Sequence, residues 1–300
     1  MSITFVDKIL FQSPVLRLVD IRWFAHERRP TGEGASDFCE ITFQRTGMFV
    51  KNYGPGGVVC DPNTLLFINA DEPYCLSHPV ALDCACTALL VHPNVLAGLI
   101  KQECGSVADR REGLFPISAA PMKTELAIAH HGLFTLAQAP RAPDPLVFEE
   151  LGLRLAGRVI ADAMQTKPRR SPQRRGSTVR AHRDTAQAVR ALLAECYHRR
   201  LTLTEIARRV HIAPHHLCHV FREQTGVSIY QYLIRLRLAA ALQLMVETDL
   251  PLAQLAVQVG FCHHSHFSNV FRQAFGIPAG QARNCLKQAS LNQIRTIMQV

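Results

Sequence analysis

Histidine and cysteine side chains gather in three places where their spacing could support chemistry. In the first half of the chain Cys75, His78, Cys84, Cys86 and His92 fall within one short stretch. Strand alternation there would put the sulfurs of Cys84 and Cys86 on one face. Thiolate and imidazole groups of this kind suit a thiophilic metal or a redox-sensing thiol. Further on, His215 and His219 stand at i, i+4 with Cys218 between them, and residues 262–266 read Cys-His-His-Ser-His. Neither of these later runs supplies four ligands at the spacing of a zinc site, so no metal is expected there. A buried Cys on a strand is also an ordinary small hydrophobe. The first grouping therefore has two readings, core filler or thiol and metal sensor.

Residues for other reactions are missing. The chain has no G-x-S-x-G elbow, no G-x-x-x-x-G-K-[ST] phosphate loop and no H-E-x-x-H metal motif. It is expected not to be an enzyme and to need no cofactor.

Charge points instead to a polyanion. The 300 residues carry a net charge of +9, but residues 1–165 hold 14 Lys and Arg against 18 Asp and Glu, which is −4, so the remainder carries +13. A basic excess confined to one region favours a phosphate backbone, because neutralised phosphates release counterions. Hydrophobic content of 48% supports buried cores. The N-terminal stretch lacks a signal pattern and no apolar run is long enough to span a bilayer, so a cytoplasmic location and no membrane partner are expected. Ten Cys are then read as reduced thiols.

These residues need elements to hold them. Residues 38–92 read as short β-branched and aromatic runs broken by turns at residues 53–57 and 61–63. Helical patterns follow over residues 94–103, 121–138 and 145–164. The last places Phe148, Leu151, Leu155, Val159 and Ala163 on one face, either as core or as a subunit contact. Residues 166–183 contain Lys167, six Arg and no acid, and read as a flexible basic linker. Beyond them the pattern is helical throughout.

Inside that helical region the sequence repeats itself. Residues 204–212 superpose on 253–261, so that Ala207 meets Ala256, Val210 meets Val259 and Ile212 meets Phe261. After one inserted residue Leu217 meets Phe267, Phe221 meets Phe271, Arg222 meets Arg272 and Gly226 meets Gly276. Each copy has the parts of a helix-turn-helix: a small Ala for close crossing, a turn residue that tolerates positive φ (His211, Gly260), and an inward apolar pair at i, i+4. Thr202 with Glu205 forms a capping box, Pro214 opens a helix, Gly226 closes it and Ser228 caps the next. The second copy has Pro251 where a capping hydroxyl would sit. Residues 228–247 predict one helix of about 30 Å, close to the helical repeat of DNA.

These residues, and above all residues 249–278 together with Leu217, Phe221, Thr225-Gly226 and residues 235–238, resemble the AraC/XylS family of transcription regulators. The resemblance covers residues 201–283. It implies that His215, Cys218 and His219 on one helix, and His264, Ser265, Ser268 and Asn269 on the other, face base edges, while Arg222 and Arg272 face phosphates. His219 and Asn269 stand where the family commonly has Arg, so a different base preference is implied. Residues 67–79 resemble, more distantly, the cupin-like sensor domains of the family.

The expected architecture is therefore α+β. It comprises a β-rich cupin-like sensor or dimerisation domain (1–165) with flanking helices, a linker (166–183), an all-α domain with two helix-turn-helix units joined by a long helix (184–288), and a tail (289–300). The resemblance implies a regulator, an activator in the first instance, that binds double-stranded DNA at promoters and meets the transcription machinery. A small-molecule effector or self-association as a homodimer would control it. The alternatives are a thiol- or metal-responsive regulator and a cupin-type enzyme domain fused to a DNA-binding domain.

Overall fold

Every residue of β8 (Cys84–Val91) is buried, which requires cover on both faces of the sheet that contains it. The computed structural model, which describes residues 4–24, 34–52, 57–104, 113–140, 143–165 and 176–288, supplies that cover. The first half contains β1 (Thr4–Gln12), β2 (Leu16–Phe24), β3 (Cys39–Thr46), β4 (Phe49–Asn52), β5 (Val58–Cys60), β6 (Thr64–Ile68), β7 (Cys75–Ser77), β8, α1 (Pro93–Cys104), β9 (Ala119–Pro121), α2 (Thr124–Ala137) and α3 (Pro145–Gln165). Six strands form one sheet in the order β1-β2-β8-β3-β6-β9, and three form another in the order β5-β4-β7. All the pairings are antiparallel.

On one face of the larger sheet, Leu16, Leu18, Ile41, Phe43, Leu89 and Val91 bury against α1, α2 and α3. On the other, Trp23, Leu66, Cys84 and Cys86 meet Phe49, Cys60 and Leu76 of the smaller sheet. Alternation along β8 thus sends Leu89 and Val91 one way and Cys84 and Cys86 the other. The apolar stripe of α3 is core: Phe148, Leu151, Leu155 and Val159 are all 0% exposed within the chain's own sheet-facing cluster. It is therefore unavailable as the subunit contact that was its second reading.

The second half is helical: α4 (Gly176–Cys196), α5 (Leu203–Arg209), α6 (Pro214–Thr225), α7 (Ile229–Glu247), α8 (Leu252–Gln258), α9 (His264–Phe275) and α10 (Ala279–Gln288). The linker expected over residues 166–183 is corrected in part, because its last eight positions, from Gly176, are the first turns of α4. The cause is apolar spacing: Ala186, Val189 and Leu193 bury on one stripe, and the helix propagates back to His182, itself buried. Residues 166–175 and the tail at 289–300 lie outside the described residues, as does most of the turn expected at 53–57.

α7 serves two cores at once. Its first turns give Tyr232, Leu233 and Leu236 to a cluster with α4, α5 and α6, and its last turns give Leu238, Ala241, Leu242 and Met245 to a cluster with α8, α9 and α10. The two halves of the chain pack on each other. Ile128 of α2 enters the α8–α10 cluster, and Ala194 of α4 packs with Val50 and Val59 of the smaller sheet and with Met48 just before β4. None of the helices among the described residues is long and apolar enough to cross a membrane.

Candidate nucleic-acid interface

The first helix pair is built as its sequence dictates. Thr202 caps α5: its Oγ1 accepts the Glu205 N–H at 3.2 Å, while Glu205 Oε2 accepts the Thr202 N–H at 2.9 Å. This exchange satisfies two backbone donors that the helix start leaves without partners. The bonds to Thr202 hold the Glu205 carboxyl below the usual range. α5 ends at a turn where His211 takes φ 55, and the chain re-enters with the Ile212 N–H donating to the Ala207 carbonyl at 3.0 Å. The second pair repeats this bond, Phe261 N–H to Ala256 carbonyl at 2.9 Å, around Gly260 at φ 94. A Cβ at Gly260 would stand 2.7 Å from the Tyr197 carbonyl oxygen, so this turn has room only for glycine.

α6 and α9 then present matching faces. Leu217, Val220 and Phe221 are buried on α6, and Phe267, Phe271 and Phe275 on α9. The opposite face of α6 exposes His215, Cys218, His219 and Arg222. That of α9 exposes His264, Ser265, Asn269 and Arg272, with Ser268 half-buried and its hydroxyl 3.3 Å from His264 Nε2. His215, Cys218 and His219 correspond by the internal repeat to Ser265, Ser268 and Asn269. Each helix closes on a left-handed glycine: the Gly226 and Gly276 N–H groups donate to the carbonyls of Arg222 and Arg272, both at 2.9 Å. Between them Ser228 caps α7 through a capping box with Gln231. Pro251, at the start of α8, supplies no side-chain cap.

What these faces can do follows from their chemistry. Imidazole, hydroxyl and carboxamide groups can donate to or accept from base edges, and an exposed guanidinium suits a phosphate oxygen. Arg208 and Arg209 in the last turn of α5 add positive charge beside α6.

Sequence reasoning missed the buried polar groups that hold the helices in place. Arg237 of α7 donates from Nε to the Tyr197 carbonyl at 2.8 Å and from Nη2 to the Arg199 carbonyl at 2.9 Å, tying the α4–α5 connection to the middle of α7. Arg190 of α4 reaches into the first half of the chain to Asp61. Arg237 falls in the stretch 235–238 that carries the resemblance, but its role was not read from it, and Arg190 had no signal, since exposed and buried arginines look alike in sequence.

The Cys and His grouping of the first half separates on folding. Cys84 and Cys86 lie between the two sheets, and His78 Nδ1 is 3.8 Å from Cys84 Sγ. Cys60, outside the expected set, joins them. Cys75 lies on β7, while His92 precedes α1 and accepts the Asn94 N–H at 3.3 Å. Burial pushes the Cys84 thiol up to about 12 and the Cys60 and Cys86 thiols well above their usual value, and it lowers His78. Burial thus favours the neutral thiol, which suits packing in a core more than action as a nucleophile. Among the described residues no group of three or more His, Cys, Asp or Glu could hold a metal ion.

Comparison with known proteins agrees with the helical half. Residues 206–284 match a family model described as a helix-turn-helix domain. The HTH-type transcriptional regulator ArgR of Pseudomonas aeruginosa is 28% identical over 144 residues, covering 46% of this chain and 44% of that protein. The HTH-type transcriptional regulator GlxA of Rhizobium meliloti is 31% identical over 144 residues, with the same coverages of 46% and 44%. The arabinose operon regulatory protein of Salmonella typhimurium is 30% identical over 101 residues, covering 34% of this chain and 35% of that one. The chain thus spans less than half the length of these relatives. Residues 206–284 are an AraC-type helix-turn-helix domain, the part of the chain that is similar to these transcription regulators.

Proposed function

We propose that this protein is a sequence-specific regulator of transcription that binds double-stranded DNA through α6 and α9. One observation carries the reading. Two equivalent rows of polar side chains, the exposed His215, Cys218 and His219 on α6 and the exposed Ser265 and Asn269 with half-buried Ser268 on α9, stand on Phe-anchored helices joined by α7. At 1.5 Å per residue α7 spans about 28 Å, so the helices at its ends suit successive major grooves on one side of the duplex. Arg222 and Arg272 hold the backbone on either side. Asn269 suits adenine, and His219 donates or accepts according to its protonation.

In this reading the first half, a cupin-like pair of sheets, governs the second by binding a small-molecule effector or by self-association. A homodimer would use a surface other than the stripe of α3. Action as an activator, with contact to the transcription machinery, completes the proposal. The packing of Cys84 and Cys86 among Trp23, Phe49 and Leu66 between the two sheets favours the effector reading over a thiol or metal sensor. Mobility-shift titration of the full-length chain with duplex DNA tests the core of it. Binding should weaken by orders of magnitude between roughly 50 and 200 mM salt if six or more phosphates are contacted. Binding indifferent to salt would contradict it.

A further inference from the structure

The two halves meet around one carboxylate. Asp61, in the turn between β5 and β6, is 1% exposed. Its Oδ1 accepts the Asn63 N–H at 3.0 Å and the Thr64 hydroxyl at 3.1 Å, which shapes the turn. Its Oδ2 faces the other way, accepting Arg190 Nε of α4 at 2.7 Å and the hydroxyl of Tyr232 of α7. Arg190 Nη2 also donates to the Val59 carbonyl at 3.1 Å and the Thr64 hydroxyl at 2.7 Å, and Asn63 Nδ2 donates to the Tyr232 carbonyl at 3.3 Å. A single turn of the first half therefore grips both α4 and α7.

Both of those helices pack against α6, together with α5. The Tyr232 ring meets Phe221 edge-on, with centroids 5.2 Å apart and planes at 87°. Phe221 is the fully buried anchor of α6 and precedes Arg222. On the other side His182 of α4 lies 3.2 Å from Glu223 of α6. The internal repeat places Ala282 where the first copy has Tyr232, so among the described residues the second unit lacks the hydroxyl that takes hold of Asp61. The second unit meets the first half through Ala127 and Ile128 of α2, and through the ion pair of Arg22 on β2 with Glu247 at the end of α7, 3.6 Å apart, none of which involves Asp61.

We infer that Asp61 is a positioning residue for the first recognition helix: through Tyr232 and Arg190 it fixes the angle at which α6 is presented, while α9 is placed independently of it. The inference rests on the reading that α6 and α9 face DNA. A buried carboxylate shared between a guanidinium and a hydroxyl is well suited to this role, since its geometry is specific and losing one partner leaves the other uncompensated.

The test uses the full-length chain and duplexes that the wild type selects from a random pool. The substitution Asn269→Ala first marks which element of the selected sequence α9 reads. Affinities are then compared for intact DNA and for DNA scrambled in either element. In Asp61→Asn, and in Tyr232→Phe, which keeps the ring on Phe221, discrimination at the α6 element should fall about tenfold, the worth of one hydrogen bond to a charged group. Discrimination at the α9 element should stay at the wild-type level. Tyr232→Phe guards against the outcome that Asp61→Asn fails to fold. Equal losses at both elements, as a purely structural role would give, or no loss at either, would overturn the inference. If the wild type selects no sequence at all, the reading beneath it fails, and the inference with it.

Discussion

Ile128 of α2 and Phe271 of α9 lie in one buried cluster, 3% and 0% exposed respectively. A residue from the sheet-bearing half thus completes the core of the second helix-turn-helix unit. The two halves should therefore unfold as a coupled system. Ile128→Ala should cost roughly 2–4 kcal/mol, the usual range for truncating a buried aliphatic side chain. Urea denaturation followed by both tryptophan fluorescence, from Trp23 in the first half, and helical circular dichroism checks this. Both signals should shift together, and a shift in one alone would show the halves to be uncoupled.

The turn glycines separate space from backbone conformation. Gly260 and Gly276 both have positive φ, but a Cβ at Gly260 would collide with the Tyr197 carbonyl and Arg237 Nε, whereas Gly276 has nothing within 4 Å. Gly276→Ala should cost about 1 kcal/mol, the left-handed penalty alone. Gly260→Ala should cost several times that. Equal melting temperatures for the two variants would contradict the packing described at the turn.

Acid should weaken the fold through α2. His130 and His131 are buried, at 1% and 2% exposure. Burial lowers the pKa of both, and His131 falls to about 4. A histidine whose folded value lies below its unfolded value of about 6.5 is neutral in both states at higher pH, and costs nothing there. As pH falls from about 6.5 to about 4 the unfolded chain takes up the proton first, so stability drops, by roughly 3 kcal/mol for His131. Urea midpoints measured across that window should fall more steeply in the wild type than in His131→Asn. Parallel slopes would show that His131 titrates normally in the folded chain.

Much of the helical half could be read from residues alone. The capping boxes at Thr202 and Ser228, the turn at His211, the glycine C-caps and the span of α7 all follow from local chemistry, which acts over a few residues and leaves a spaced signature. The weak start of the second unit at Pro251 was equally legible. The strands β1 and β2 were not, because residues 4–24 carry no clear turn punctuation beyond Ser13-Pro14 and their pairing with β8 is a long-range fact. Nor was the packing between halves: a basic run before α4 suggested two bodies on a tether, whereas Asp61 with Arg190 and Tyr232 joins residues far apart in sequence. The Cys and His grouping was legible in part: the core-filler reading fits Cys84 and Cys86, packed between the sheets near His78, whereas His92 precedes α1 and Cys75 lies on β7.

The exposed faces of α6 and α9 should divide their work. Arg222→Ala and Arg272→Ala should weaken binding to all sequences alike and flatten its salt dependence. Asn269→Ala should instead relax preference at particular base pairs, by roughly 1–3 kcal/mol each. Competition titrations against matched and mismatched duplexes distinguish the two kinds of loss. If all three substitutions lower affinity without altering preference, Asn269 does not read a base.

The central claim, that two recognition helices held by α7 read DNA together, is tested most directly by selecting bound duplexes from a random pool with the purified full-length chain. The account predicts an enriched sequence of two short elements about one helical turn, roughly 10 base pairs, apart. Pools that emerge with no enriched sequence, or with a single element untouched by substitutions on one of the two helices, would contradict it.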